Sequence, residues 1–277
     1  MAIEAKIALV GHTGFGFGGV VGATETAAAS AEAAGYPASN LLLRQLGQVC
    51  RSPAGTLTGW VLTFGFGRTI SVGGVVLVKT NLRPGIGTRR VELAMDSGFS
   101  TNYLDSGTAV ALDASLGVLK AGERDFVPVQ GWPVIWLPTT ASNAAFCRVT
   151  LADSGNPDGH LQAGFPLISE RYQPPKNFDQ SWAKIPTARG SQGAEVLLRG
   201  HKLNFHLLNS AGESEILSLL WGLKHTGRVY VIPRATKPET WRLTAHLCEV
   251  EGDPESAAVD KAGKFYAVAA TFREVDE

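Results

Sequence analysis

Charge is what this chain has least of. Asp, Glu, Lys and Arg make up 18% of its 277 residues, hydrophobic residues make up 44%, and 25 cations balance 25 anions. A globular domain ordinarily carries about a quarter charged residues. A zero balance with no run of like charge excludes nucleic acid as the main partner, since phosphate contact rests on clustered, uncompensated Lys and Arg. A surface this poor in charge suits a chain that buries part of it in an assembly.

Cysteine is scarce too. Cys50, Cys147 and Cys248 are odd in number, widely spaced and form no CxxC pair, which argues against a disulfide framework and a structural zinc site. Each has apolar neighbours and reads as a small buried hydrophobe. Long apolar runs are missing as well: no window reaches the roughly 18 residues of a membrane helix. The opening MAIEAKIALVGHTGFG has no basic region and is interrupted by glycine, so it does not read as a signal peptide. The expectation is a soluble protein made in a cytoplasm, without membrane insertion.

The patterns of catalysis are absent. There is no HExxH, no GxSxG and no GxxxxGK[ST]. His201 and His206 are five apart on one expected strand, hence on opposite faces. His225 falls at a helix C-terminus, His246 is alone in a strand, and His12 and His160 lie in Gly-rich segments. The carboxylate pair of a glycosidase is set by geometry and has no spacing to read. No catalytic residue, metal or cofactor is expected, and the chain reads as a non-enzyme.

Glycine, by contrast, is abundant, and it creates a decoy. Ile7 to Val10 could be a strand, followed by Gly14-x-Gly16-x-x-Gly19 and an Ala-rich segment. A dinucleotide site needs such glycines at a helix N-terminus within a βαβ unit. Thr24 to Ala34 offers little but alanine as an apolar face, and no second strand ending in Asp or Glu follows. A Rossmann-type oxidoreductase is therefore only the second alternative, and a Gly/Ala-rich arm over 1–34 the simpler account.

From residue 57 the texture becomes β-rich. TLTGWVLTFGFGRTISVGGVVLVKTNL is dense in β-branched and aromatic residues, and its Gly and Arg predict a break into short strands. TRRVELAMD, GWPVIWLP and AAFCRVTLAD add further strands. Asp-Ser-Gly recurs at 96–98, 105–107 and 153–155 and predicts three turns, because Asp and Ser bond their own backbone and Gly supplies positive φ. Short strands with almost no helix over 55–165 indicate a β-sandwich or jelly roll. Trp132 and Trp136 could stack on a sugar, but their spacing on one strand face favours core packing.

YPASNLLLRQLGQVCRS (36–52) resembles the opening of discoidin-like, galactose-binding-type jelly rolls, with Cys50 where a Trp is usual. GWVLTFGFGRTISVGGVVLVKTNL (59–82) is similar to the strand pair that follows in that family, with Phe64-Gly65-Phe66-Gly67 in place of its acidic turn. FCRVTLADSGNPDGHLQAGFPLISERYQPPKNFDQSW (146–182) resembles the closing strand pair of such domains in bacteriophage tail proteins, Asn156-Pro157-Asp158-Gly159 being a tight-turn sequence between antiparallel strands. The resemblance covers 35–182 and implies a virion structural protein of a phage tail tip or baseplate. It hands over no matched set of carbohydrate-binding residues.

From about 183 the chain changes again. Leu203, Phe205 and Leu207 alternate in a strand, Ser210 to Glu213 fits a capping box, and Ile216, Leu217, Leu219, Leu220 and Leu223 share one helical face stopped by Gly227. RVYVIP, WRLTAHLCEVE and KFYAVAATFREV follow as strands. The expected architecture is mainly β: an arm (1–34), a discoidin-like jelly roll (35–182) and a smaller α+β assembly module (183–277). The expected role is oligomeric assembly in the virion tail, built in the host cytoplasm. Its partners would be copies of itself and other tail proteins. The first alternative is a carbohydrate-binding module that recognises host-surface glycans.

Overall fold

A computed structural model describes residues 8–15, 25–43, 45–111, 132–173, 188–189, 195–196, 200–226, 228–232, 235, 245–259 and 265–275. In chain order the strands are β1 (Ala8–Phe15), β2 (Thr26–Ala29), β3 (Cys50–Arg51), β4 (Trp60–Val72), β5 (Gly74–Thr80), β6 (Thr88–Ala94), β7 (Leu104–Asp105), β8 (Ala109–Val110) and β9 (Trp132–Trp136). There follow β10 (Ser142–Ala152), β11 (Gln162–Ala163), β12 (Pro166–Tyr172), β13 (Ala188–Arg189), β14 (Glu195–Val196) and β15 (Gly200–Leu208). Helix α1 (Ser210–Thr226) then leads to β16 (Val229–Ile232), β17 (His246–Ala258) and β18 (Tyr266–Glu274). The protein is mainly β with sandwiched sheets, as the alternation of its strands implies. It divides into two units, residues 13–171 and residues 1–12 with 172–276.

The larger unit is a sandwich. One sheet has the order β2–β4–β10–β6–β7, with β8 also on β6, and the other runs β12–β5–β9. In β10 every second residue from Cys147 to Leu151 is buried, and the same alternation places Leu62 and Phe64 of β4 and Val91 and Leu93 of β6 inward. They meet Val75, Leu77, Val134 and Ile168 from the opposite sheet in one apolar cluster. Removing this surface from water is the main driving force for the unit.

Gly65, Gly67 and Arg68 do not break the β-rich stretch, as their composition suggested. β4 runs for 13 residues through all three. Gly65 is there because two neighbours press close: a Cβ on it would lie 2.6 Å from Thr26 Oγ1 and 3.2 Å from Phe146. The register against β10 slips between Ala144 and Phe146, a bulge that absorbs the bend.

The 1–34 segment supplies two strands. Ala8, Leu9 and Val10 of β1 pair antiparallel with Ile232, Val231 and Tyr230 of β16. Thr26–Ala29 of β2 pairs with β4, so the Ala-rich stretch is extended here, not helical. Gly14 lies inside β1, and an antiparallel neighbour is not the parallel βαβ crossover of a dinucleotide site. The two units divide at 12/13 and 171/172, within β1 and β12.

The smaller unit has the sheet order β15–β18–β17–β16–β1, with α1 packed on it through Ile216, Leu219, Leu220 and Leu223. Val268, Ala270 and Phe272 of β18 share that core. The helix cap differs from the capping-box reading. Asn209, not Ser210, caps α1: its side-chain oxygen accepts the Gly212 N–H at 2.9 Å and its carbonyl accepts the Glu213 N–H at 2.9 Å. Glu213 does not reach back, because its carboxylate accepts the Ser256 hydroxyl of β17 instead. Gly227 lies outside the described residues.

Candidate functional site

The YPASN…CRS segment builds one corner of the sandwich. Ala38–Leu42 forms a short 3-10 turn, and the Asn40 side chain donates to the Val49 carbonyl at 3.0 Å. Arg51 N–H donates to the Tyr36 carbonyl at 3.2 Å, which folds the turn back over β3. Cys50 then points into the core with no exposure, and burial pushes its thiol up to about 12. Arg51 points the other way, its guanidinium carbon 3.9 Å from the centre of the Tyr36 ring.

Across β3 lies β11, with Gln162 paired to Arg51 and Ala163 to Cys50. Arg51 Nε donates to Gln162 Oε1 at 2.9 Å, and Gln162 Nε2 donates to the Lys79 carbonyl at 3.1 Å. Lys79 sits in the left-handed region at φ 52°, where the β5–β9 ladder slips between Leu77 and Thr80. Gly164 makes room for it, since a Cβ there would lie 2.9 Å from Lys79 Cβ. Partial burial lowers the lysine's pKa. Tyr36, Arg51 and Gln162 thus form a platform of one aromatic ring and two polar side chains, with the Lys79 backbone carbonyl tied to Gln162.

Beside it, Asn81 ties the loops together. Its amide donates to Asp158 Oδ2 and to the His160 carbonyl, both at 2.9 Å, and its oxygen accepts Gln162 N–H at 2.8 Å. The Asn156-Pro157-Asp158-Gly159 turn is present, with Asp158 N–H donating to Asn156 Oδ1 at 3.0 Å and Gly159 at φ 70°. It does not close a hairpin, however. β10 pairs with β4 and β6 while β12 pairs with β5, so the turn carries the chain from one sheet to the other.

The Asp-Ser-Gly trios are turns, and each aspartate also acts as an anchor. Asp96 accepts the N–H groups of Gly98, Ser100 and Thr101, which hold its carboxyl below the usual range, the Thr101 bond foremost. Arg90 Nε donates to Asp105 at 3.0 Å and lowers that carboxyl. Burial raises the Asp153 carboxyl, but hydrogen bonds from the Arg83 side chain and N–H outweigh it, and the net direction is down.

A second polar cluster lies on the outer face of β6 and β10. Glu92, only 3% exposed in its side chain, takes Arg148 side-on and accepts the Tyr103 hydroxyl. Arg148 also covers Phe99, a residue at φ 55°. This cluster holds the 95–105 loop against the sheet, and sequence reading missed it because its partners come from three segments.

Trp136 is half-buried against the sandwich core, and Trp132 is half-buried at the other end of β9, its carbonyl accepting the Thr80 hydroxyl at 2.6 Å. The histidines are spread over several elements. His246 is buried in β17, His160 Nδ1 lies 2.8 Å from the Asp158 carbonyl, His12 lies in β1, not in a loop, His201 and His206 lie in β15, and His225 lies in α1. Among the described residues no group of three His, Cys, Asp or Glu side chains is placed to hold a metal ion, and no helix is long and apolar enough to cross a membrane.

No protein-family model and no curated protein matches the chain. Solved structures do resemble it. The family 32 carbohydrate-binding module of NanJ from Clostridium perfringens, in complex with galactose, is 10% identical, with a TM-score of 0.39, over 53% of this chain and 93% of that one. A family 32 module from a C. perfringens glycoside hydrolase, with GalNAc-β-1,3-galactose, is 11% identical with a TM-score of 0.38, over 53% of this chain and 95% of that one. The family 32 module of AlyQ, with 4,5-unsaturated mannuronic acid, is 17% identical with a TM-score of 0.37, over 57% and 98%. At TM-scores this low the likeness carries no argument about ligand or role.

Proposed function

We propose that the chain is a non-catalytic glycan-binding protein whose sandwich unit holds the sugar at the Tyr36–Arg51–Gln162 platform. The observation that carries this is the Arg51–Gln162 bond at 2.9 Å beneath an exposed corner shared with Tyr36, itself 36% exposed. A sugar offers an apolar C–H face and a rim of hydroxyls. An aromatic body next to planar hydrogen-bonding groups complements both. Because the Arg51 and Gln162 side chains are held before any ligand arrives, little of their conformational freedom remains to be lost on binding. A glycan array probed with the whole chain and with Tyr36→Ala tests this. Glycan binding that the substitution abolishes supports it, and an array without a hit refutes it.

A role in virion assembly at a phage tail tip is the second reading, and one feature of the smaller unit favours it. Among the described residues β15 is paired on one side only, with β18, and such an edge can accept a strand from another copy. Native mass spectrometry separates the two roles: a defined oligomer supports assembly, and a monomer that binds glycan supports recognition alone.

A further inference from the structure

We infer that the open edge of the β17–β18 hairpin pairs with the same edge of a second copy of this chain, antiparallel and centred on Ala257. β17 has 13 residues, and on one side β16 pairs with only three of them, His246, Leu247 and Cys248. Among the described residues no other strand lies on that side. The far end of β17 is exposed without a break from Glu255 to Ala258, as is Val259 beyond it. It carries apolar surface: Val259 is 49% and Phe265 41% exposed, and the Val259 N–H donates to the Phe265 carbonyl at 2.8 Å.

The edge fits itself. Val259 bonds to Phe265, so by the alternation of an antiparallel ladder Ala257 and Glu255 also turn their backbone groups to β18. Ser256 and Ala258 turn theirs to the open side. A second β17 meets those groups when Ser256 pairs with Ala258 of the other copy, which sets Ala257 against Ala257. The faces then agree. Ser256, bonded to Glu213 of α1, and its ladder partner Val268 face the helix, so Ala257 and Val259 of both copies share the opposite face beside Phe265. Charge selects the antiparallel direction. Glu251, Asp253 and Glu255 fill one end of the edge, and residues 260–264, just past the other end, carry Lys261 and Lys264 against Asp260. Antiparallel pairing brings each acidic end towards the other copy's lysines, whereas parallel pairing would align acid with acid. The pairing stretch is bounded by the bulge between Glu251 and Glu255, where Pro254 has no N–H to donate.

The test is sedimentation equilibrium of the full chain, for the native sequence, Ala257→Glu and Ala257→Lys. Ala257 is exposed, so either side chain has room in the single copy, but across the two-fold each would face its own charge. The native chain is expected to pass from monomer to dimer as its concentration rises. Each substitution alone should weaken self-association about tenfold or more. An equimolar mixture of the two variants should recover the dimer, because Glu then faces Lys, and the recovered dimer should weaken as salt rises. Recovery in the mixture also shows that both variants are folded. A native chain that stays monomeric up to about 1 mM overturns the inference. So does a dimer that Ala257→Glu leaves as tight as before, or a mixture that associates no better than its components.

Discussion

Arg148 on β10 and Glu92 on β6 stand directly opposite each other, and the guanidinium meets the carboxylate side-on, Nε to Oε2 and Nη2 to Oε1, each at 2.7 Å. The pair lies on the outer face of a sheet whose inner face is apolar. Tyr103 and Phe99 close over it, so the Glu92 side chain is nearly out of solvent while Arg148 remains a third exposed. Replacing Glu92 by Gln removes the negative charge but keeps the shape. The sandwich should lose about 1–3 kcal/mol, less than for a fully buried pair because Arg148 can turn to water. Urea unfolding measures it. In a cycle with Arg148→Met, the double variant should be more stable than the sum of the single losses predicts.

Acid should loosen the same unit. Hydrogen bonds from Arg148, Thr101 and Arg90 hold the carboxyls of Glu92, Asp96 and Asp105 below their ordinary values of 4.5, 3.8 and 3.8. A depressed folded pKa contributes stability that is fully present above the unfolded pKa and is lost as pH falls through the folded one. Thermal unfolding should therefore be insensitive to these groups at neutral pH, and its midpoint should drop below about pH 4. Glu92→Gln should show a shallower drop than the native chain.

The three thiols should be silent in the native protein. Cys50, Cys147 and Cys248 are all buried, and burial raises Cys50 to about 12 and Cys147 further. With a pKa of about 12, only about one Cys50 in ten thousand is thiolate at pH 8. Ellman's reagent should react with none in buffer and with three in denaturant. A thiol that reacts promptly in buffer would contradict the packing.

Helix α1 offers a comparison between adjacent residues. Asn209→Ala removes the bond to the Gly212 N–H and should reduce stability of the smaller unit by about 1 kcal/mol. Ser210→Ala should change it by less than about 0.5 kcal/mol. Hydrogen exchange of the α1 amides reads both, and the reverse order would restore Ser210 as the cap.

The mainly β character and the sandwich were legible in the sequence. Alternation in β10 and the apolar face of α1 are periodic, and a period of two or of 3.6 residues can be read without knowing a partner. The turns at 96–98, 105–107 and 156–159 were legible for a similar reason, since their hydrogen bonds are local.

Partners distant in sequence were not legible. Pairing of β1 with β16, the run of β4 through Gly65, the choice of Asn209 over Ser210 and the passage of Asn156–Gly159 between sheets all depend on where other segments lie. The platform is the clearest case. Tyr36 and Arg51 could be read as one motif, but Gln162 is 111 residues from Arg51 along the chain. Only the pairing of β3 with β11 places its amide against the guanidinium. Residue types and local periods settled what each segment could be, because those preferences act over a few residues. Which side chains meet was decided by tertiary structure, because burial of a shared core joins strands whatever their separation in sequence.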